Sequence, residues 1–231
     1  MSYINIIGWI ASVLTAIIGL PLVINTFLGK KPPKVSLFSW WIYYLGILGF
    51  AFFGLVINDL PIVITQIFCG LTTFIFLVQN YIFRLKTTKK LHSNIAFLAL
   101  SSIVYFLILL TGILFATKLI SFSKIISAAT YIVIFAGFCV NIAFLPQTLL
   151  GIKQKTIKFI PLTFLINLLL LNFAWVIYDF LRLVVEKESN YIPALIFQII
   201  GFLIASLQLF AYFYQLGQQR KINKTFKINW I

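Results

Sequence analysis

The chain has 231 residues, of which 62% are hydrophobic and only 10% are charged, and its mean hydropathy is +1.07. A soluble domain is nearer half apolar and a quarter charged, so this composition excludes an ordinary soluble protein and indicates a polytopic helical membrane protein. The net charge of +14 does not indicate nucleic-acid binding, because the basic residues cluster in short gaps between apolar blocks, where they set membrane topology.

The apolar blocks predict seven membrane-spanning helices, since about 20 mainly apolar residues are needed to cross a bilayer. In chain order these spans cover residues 4–28, 37–57, 61–83, 95–117, 125–150, 160–182 and 192–216. A tight turn around Asn58 and Asp59 joins the second span to the third. No cleavable signal peptide is expected, because no basic region precedes the first block and no small-residue cleavage site follows it.

The distribution of basic residues predicts the orientation of the chain. The gaps after spans one, three and five and the C-terminal tail hold 3, 4, 3 and 4 Lys or Arg residues, whereas the other gaps hold 0, 2 and 2. Basic residues favour the cytoplasmic side, so we expect the N-terminus outside and the C-terminus in the cytoplasm. The short loops and tail favour a plasma membrane.

The sequence contains an internal repeat. In both halves an apolar run carries a proline shortly before a lysine-rich gap. Later in both halves two aromatic residues spaced three apart precede a turn, a second proline and a glutamine. The matched residues are Pro21, Phe50, Phe53, Pro61 and Gln66 in the first copy, and Pro146, Trp175, Tyr178, Pro193 and Gln198 in the second.

Each copy of the repeat has three spans, and one connecting span lies between the copies. The chain therefore enters the second copy from the same side of the membrane as the first, and the two copies have the same orientation. The repeat therefore predicts an all-α membrane protein with two parallel three-helix bundles joined by a linker helix, in a 3+1+3 arrangement. The predicted divisions are a first bundle at 1–90, a linker helix at 91–124, a second bundle at 125–219 and a basic cytoplasmic tail at 220–231.

These features resemble the PQ-loop superfamily, and within it the SWEET and SemiSWEET sugar transporters, over nearly the whole chain. The segment "FLPQ" at 144–147 matches the motif that names the family, and "GLPL" at 19–22 is its first-copy counterpart. The family's Trp-x-x-Tyr-Gly segment appears as Trp175, Tyr178 and Asp179, so an aspartate replaces the glycine. Gln66 and Gln198 replace the asparagines that usually face the substrate. The resemblance implies a transporter of a small polar solute, foremost a sugar uniporter that works by alternating access.

Four side chains are predicted to form the solute site at a common depth, roughly 10–12 Å below the outer surface at 1.5 Å per residue. They are the aromatic rings of Phe50 and Trp175 and the amides of Gln66 and Gln198. A sugar offers ring faces for stacking and hydroxyl groups for amide hydrogen bonds. Asn172, one turn before Trp175, is assigned to the same site. As an alternative, the amides hydrogen-bond neighbouring helices.

The prolines and the polar residues near the outer surface predict two gates. Pro21 and Pro146 each free the carbonyl four residues earlier and bend the helix, and together with Gln147 they are interpreted as hinges of a cytoplasmic gate. The alternative is a tolerated kink in each helix. An outer gate is assigned to Tyr178, Asp179 and Arg182, although Arg182 would also serve as an interfacial anchor.

Composition also limits the mechanism. No acidic residue is expected at mid-membrane, and Asp179 is placed near the outer face, so the sequence favours passive, bidirectional uniport. The alternatives are a proton-coupled amino-acid carrier and a receptor or scaffold that moves no solute. An enzyme is the weakest alternative, because no acid, base, nucleophile or metal-ligand cluster is visible. Catalytic residues, metal sites and cofactors are therefore not expected, the expected partners are a small solute and the lipid bilayer, and the oligomeric state stays open.

Overall fold

A computed structural model describes residues 3–29, 36–87, 91–119, 122–222, 228 and 230 of the protein. Every regular element in these residues is a helix. The α-helices are α1 (Tyr3–Ile17), α2 (Leu20–Gly29), α3 (Leu37–Val56), α4 (Leu60–Thr87), α5 (Leu91–Thr117), α6 (Ala129–Ile142), α7 (Leu145–Lys153), α8 (Leu162–Val184) and α9 (Ile192–Ile222). Short 3₁₀ helices cover Ser123–Ala128, Ile157–Phe159 and Ser189–Tyr191.

Six helical segments in the described residues are long and apolar enough to cross a membrane. They are Tyr3–Gly29, Leu37–Val56, Leu60–Leu85, His92–Thr117, Leu162–Val184 and Ser189–Ile222. The sequence-based expectation of an all-helical, multi-pass integral membrane protein is confirmed at this level. The six segments correspond to six of the seven predicted spans.

The fifth predicted span, 125–150, is not a continuous helix. It consists of the 3₁₀ turn Ser123–Ala128 followed by α6 and α7, and its apolar helical part, Ile126–Ile142, is shorter than the six spanning segments. The interruption follows from Pro146, which has no N–H to bond the carbonyl of Ile142 and whose ring crowds that carbonyl. The seven-span arrangement stays a prediction for this reason.

The first predicted span breaks at the matching place. α1 ends at Ile17 and α2 begins at Leu20, so Pro21 is the second residue of α2, as Pro146 is the second residue of α7. In both copies the helix ends four residues before the proline. Hydrogen bonding resumes at once, since Val23 N donates to Gly19 O and Thr148 N to Phe144 O.

The helices pack in a pattern that matches the internal repeat. α3 packs against α4 as α8 packs against α9, and α1 packs against α4 as α6 packs against α9. Between the copies, α1 packs against α8 and α6 against α3, so each first helix contacts the second long helix of the other copy. α5 lies outside this pattern and packs on α4 and α3. The parallel orientation and the predicted domain boundaries stay predictions.

Small residues allow the helices of the two copies to approach closely. A Cβ added at Gly49 of α3 would lie 2.9 Å from the Cβ of Ala136 on α6, and one at Gly8 of α1 would lie 2.6 Å from the ring of Tyr178 on α8. Close helix approach through small residues is the usual way to gain packing energy in a lipid environment. These crossings place the inner faces of both copies around one central space.

Candidate solute cavity and its closed end

A cavity of about 570 Å³ lies between the two copies. Its lining comes from helices of both, and it extends along α8 from Pro161, just before the helix, to Asp179. Those 18 residues of helix correspond to roughly 27 Å, most of the thickness of a bilayer. The volume is typical of a site for a small ligand.

All five residues predicted to bind solute line this cavity. The structure brings together two aromatic side chains and three amides, one aromatic and one glutamine from each copy, and all five are buried: Phe50, Gln66, Asn172, Trp175 and Gln198. The predicted matching of the two copies therefore places equivalent residues in one shared space.

The ring of Trp175 is held in place from the other copy. Its Nε1 donates a hydrogen bond of 2.8 Å to Thr15 Oγ1 on α1, and Thr15 in turn donates to the carbonyl oxygen of Ala11. The indole also packs edge-on against Tyr178, with ring centroids 5.4 Å apart. Sequence reasoning missed Thr15, because nothing in its own segment shows that α8 packs there.

Gln66 and Gln198 point into the cavity from α4 and α9. Both are buried, and among the described residues neither amide has a hydrogen-bond partner. Burying an amide without a partner is unfavourable, so these groups are suited to bind a polar solute or water in the cavity. Within the part of the chain that the structure describes, no hydrogen bond links either glutamine to a neighbouring helix, which was the alternative use predicted for them.

Asn141 and Asn172 bring two further amides to the cavity around Gly201. The side-chain N–H of each is used within its own helix, Asn141 donating to Gly137 O and Asn172 to Leu168 O. The Oδ1 atoms of both approach Gly201 of α9 so closely that a Cβ there would overlap them. Gly201 thus leaves room for two acceptor oxygens in the cavity lining.

Three buried polar atoms of the lining have no hydrogen-bond partner among the described residues. They are Trp40 Nε1, Gln208 Oε1 and Asp179 Oδ2. Trp40 is a donor and Gln208 an acceptor, since the amide nitrogen of Gln208 is already used to bond Thr148. Neither residue was predicted as part of the site, because a tryptophan and a glutamine in apolar helices have many other uses.

One end of the cavity is closed by a cluster around Asp59. We call this the acidic end, and it comprises the α3–α4 turn and the α8–α9 loop. Asn58 adopts a left-handed conformation with φ of 58°, and Asp59 caps α4 by accepting from the backbone N–H of Ile62 through Oδ1. Capping residues of this type are favoured at helix starts. The second carboxylate oxygen remains for contacts with the other copy.

Asp59 Oδ2 binds three side chains of the second copy. Tyr178 donates a 2.5 Å hydrogen bond to it, Tyr191 donates a second, and Arg182 Nη2 lies 3.5 Å away. The carboxylate is 1% exposed. Tyr178 and Arg182 thus bind Asp59 of the first copy, whereas Asp179 lines the cavity, and the assignment of these residues to an outer gate stays a prediction.

Arg182 connects the buried part of this cluster to the surface. It also pairs with Glu186 and, at 3.7 Å, with Glu188 in the α8–α9 loop. Its guanidinium lies over the rings of Tyr178 and Tyr191, at 5.3 and 5.7 Å from their centroids. Partial burial raises the pKa of Glu188 above its ordinary value, and the charge of Arg182 opposes that shift. A cluster with this many contacts between the copies holds the acidic end shut.

The opposite end of the cavity reaches the surface. We call this the basic end. It comprises Lys153, the last residue of α7, and the segment between α7 and α8, which contains Lys155 and Lys158. The lining here includes Gln154, Thr156 and Phe159, all exposed. Both helix breaks, at Pro21 and Pro146, adjoin lining residues on this side. Gln147 lies in α7, and its side chain falls outside the described residues.

Comparisons of the chain with protein-family models, with curated proteins and with solved structures find no match. The resemblance to the PQ-loop superfamily thus stays a prediction.

Proposed function

We propose that the protein is a membrane carrier that moves a small polar solute, foremost a sugar, through the central cavity by alternating access. In this proposal the chain crosses the membrane seven times as two parallel three-helix bundles with α5 as the linker. The acidic end faces outside and the basic end faces the cytoplasm, in line with the distribution of lysines and arginines.

The observation that carries the proposal is the shared lining of the cavity. Each copy contributes an aromatic ring and a glutamine, and the second copy adds Asn141 and Asn172. In the described part of the chain, the two glutamines and the acceptor oxygens of the two asparagines have no hydrogen-bond partner. Rings supply stacking surfaces for the apolar faces of a sugar, and amides bind its hydroxyl groups. A scaffold protein would have no need for a buried cavity of this composition along most of α8.

In this proposal the two ends of the cavity act as two gates that open in turn. In the described conformation the Asp59 cluster shuts the acidic end and the lining reaches the surface at the basic end, as expected for a carrier open to the cytoplasm. Because the cluster joins the two copies, rocking them apart would break it and admit solute from outside. The breaks before Pro21 and Pro146 provide points at which α1–α2 and α6–α7 bend to close the basic end.

Counterflow in proteoliposomes tests this proposal. Vesicles loaded with unlabelled glucose, sucrose or alanine are diluted into the same labelled solute, and we expect transient accumulation of glucose or sucrose. Trp175→Ala and Gln198→Ala should each lower the exchange rate about tenfold, because each removes about one to two kcal/mol of contacts with the solute. Gln218→Ala, on the exposed side of the same helix α9 as Gln198, is the matched control and should exchange at the normal rate.

The outcomes separate the candidate functions. Exchange of sugars that the cavity variants lose and the control keeps supports the proposed carrier. Exchange of alanine alone would mean that the transported solute is an amino acid and not a sugar. Absence of exchange for every solute would overturn transport and favour a receptor or scaffold.

A further inference from the structure

Asp179 holds an unusual place in the cavity. It is the only Asp, Glu, Lys, Arg or His among the cavity-lining residues that the structure describes. Its side chain is 2% exposed, and Oδ2 has no hydrogen-bond partner among the described residues. The matched residue of the first copy is Gly54, so the carboxyl group is present on one side only. The repeat alone therefore does not account for it.

The charged groups nearest to Asp179 leave it without a counter-ion. Arg182 lies three residues further along α8, but it pairs with Asp59, Glu186 and Glu188. Of the helices packed against α8, α1 contains no charged residue, and the charged residues of α9, Arg220 and Lys221, lie at its far end. The other titratable groups at this end are the hydroxyls of Tyr178 and Tyr191, and both bind Asp59.

A carboxylate in this position is unfavourable while the acidic end is shut. Burial removes water, Arg182 is engaged elsewhere, and the charge of Asp59 repels a second negative charge. Protonation of Asp179 removes the charge, which lowers the cost of burial and ends both the repulsion by Asp59 and the need for a counter-ion. Opening of the acidic end would change this situation, because Asp59 would leave with the first copy and water would reach Asp179. Arg182 would then keep only Glu186 and Glu188 as partners and, at i,i+3 on the same helix, would offset the charge of Asp179. The two conformations therefore differ in their affinity for a proton at this side chain.

We propose that Asp179 binds one proton and carries it across the membrane with the solute, so that the protein is a proton symporter and not the passive uniporter that the sequence predicts. This inference rests on the proposed transport function. Outside, the carboxylate accepts H⁺ from water and forms an O–H bond, which permits the Asp59 cluster to close. With the basic end open, water that enters the cavity takes the proton as the O–H bond breaks, which leaves the carboxylate in the unfavourable position described above. The ionised side chain then favours reopening to the outside.

A pH gradient across proteoliposomes tests the inference. The probe is the labelled glucose or sucrose that shows counterflow, and valinomycin with equal potassium on both sides removes the membrane potential. A gradient of about one pH unit, acidic outside, should drive about tenfold accumulation of a neutral solute at one proton per solute, because both quantities represent the same free energy. Asp179→Asn, whose amide resembles the protonated acid, should still exchange solute but accumulate none.

His92→Asn is the matched control, because His92 is exposed at the start of α5, away from the cavity, and is the only histidine in the chain. It should accumulate solute as the unmodified protein does. Exchange without gradient-driven accumulation in the unmodified protein would overturn the inference and leave the carrier a uniporter, even if the Asn variant does not fold. Accumulation by Asp179→Asn would overturn it as well. Failure of the unmodified protein to exchange any solute would instead contradict the proposed function itself.

Discussion

At the scale of single residues, several polar side chains of the cavity lining are held by a hydrogen bond from their N–H group to the protein. The rest of each side chain, a ring face or an amide oxygen, is left to face the cavity. Trp175 is oriented by Thr15, and the amides of Asn141 and Asn172 use their N–H groups within their own helices while their oxygens face Gly201. For the proposed solute, acceptors that are already fixed in place reduce the entropy lost on binding. The absence of a side chain at Gly201 is as necessary to this arrangement as the amides are.

Substitution of Gly201 should therefore damage transport. In Gly201→Ala the new Cβ overlaps Asn141 Oδ1 and Asn172 Oδ1, so both amides must move and the exchange rate should fall about tenfold or more. Counterflow with labelled glucose measures the effect. Gly217→Ala is the matched control, because it lies in the same helix and a Cβ there meets nothing within 4 Å.

The control also has its own expected result. An exposed helical glycine replaced by alanine should raise stability by about 0.5–1 kcal/mol, and thermal unfolding in detergent would show it. Equal exchange rates for the alanine variants at 201 and 217 would contradict the assignment of the amide oxygens to the solute site.

At the scale of helices, the chain order and apolar blocks predicted most elements, and the exceptions are informative. Long apolar stretches define helices such as α3, α5 and α8 by hydropathy alone, because lipid requires every backbone group to be bonded within the helix. The stretch at 125–150 fulfils the same hydropathy criterion but divides into a 3₁₀ turn, α6 and α7. Mean hydropathy is a property of the whole block, so it does not reveal that Pro146 lacks a backbone N–H.

Under the proposed transport function, replacing the prolines at the breaks should slow solute exchange while making the protein more stable. Alanine is preferred over proline in a helix interior by about 3 kcal/mol, so Pro21→Ala and Pro146→Ala should favour continuous helices through Ile18–Gly19 and Ala143–Phe144. We expect slower counterflow together with a higher midpoint of thermal unfolding.

Pro193→Ala serves as the control for this experiment. Pro193 is the second residue of α9, in a first turn where its missing N–H has no intrahelical partner, so its replacement should alter neither quantity much. Unchanged exchange rates in the variants at Pro21 and Pro146 would mean that the breaks are tolerated kinks and not hinges.

At the scale of the whole molecule, the two ends of the cavity differ, and Cys69 reports on that difference. Cys69 lines the cavity, whereas the other free thiol, Cys139, does not. In a Cys139→Ser background, a small membrane-impermeant thiosulfonate should label Cys69 from the cytoplasmic side and not from outside. Mass spectrometry of oriented membrane vesicles measures the labelled fraction.

Weakening the Asp59 cluster should reverse this preference. Asp59→Asn removes the charge that Arg182 pairs with and weakens both tyrosine hydrogen bonds, so labelling of Cys69 from outside should rise on the order of tenfold. Cys69→Ser in the same background should take up no label. Equal labelling from both sides without the Asp59 substitution would contradict a closed acidic end.

The sequence by itself determined the class of the protein, the positions of most helices, the repeat and the five residues predicted for the cavity. The hydropathy of a segment and the spacing of its motif residues are properties of the sequence itself, so helices and the internal repeat can be predicted from them. Only the tertiary structure decided that Asp59 joins Tyr178 and Tyr191, residues 119 and 132 positions away. It also turned Asp179 into the cavity and added Thr15, Trp40 and Gln208 to the lining. These contacts depend on how helices of the two copies cross and rotate, which packing fixes and local sequence does not.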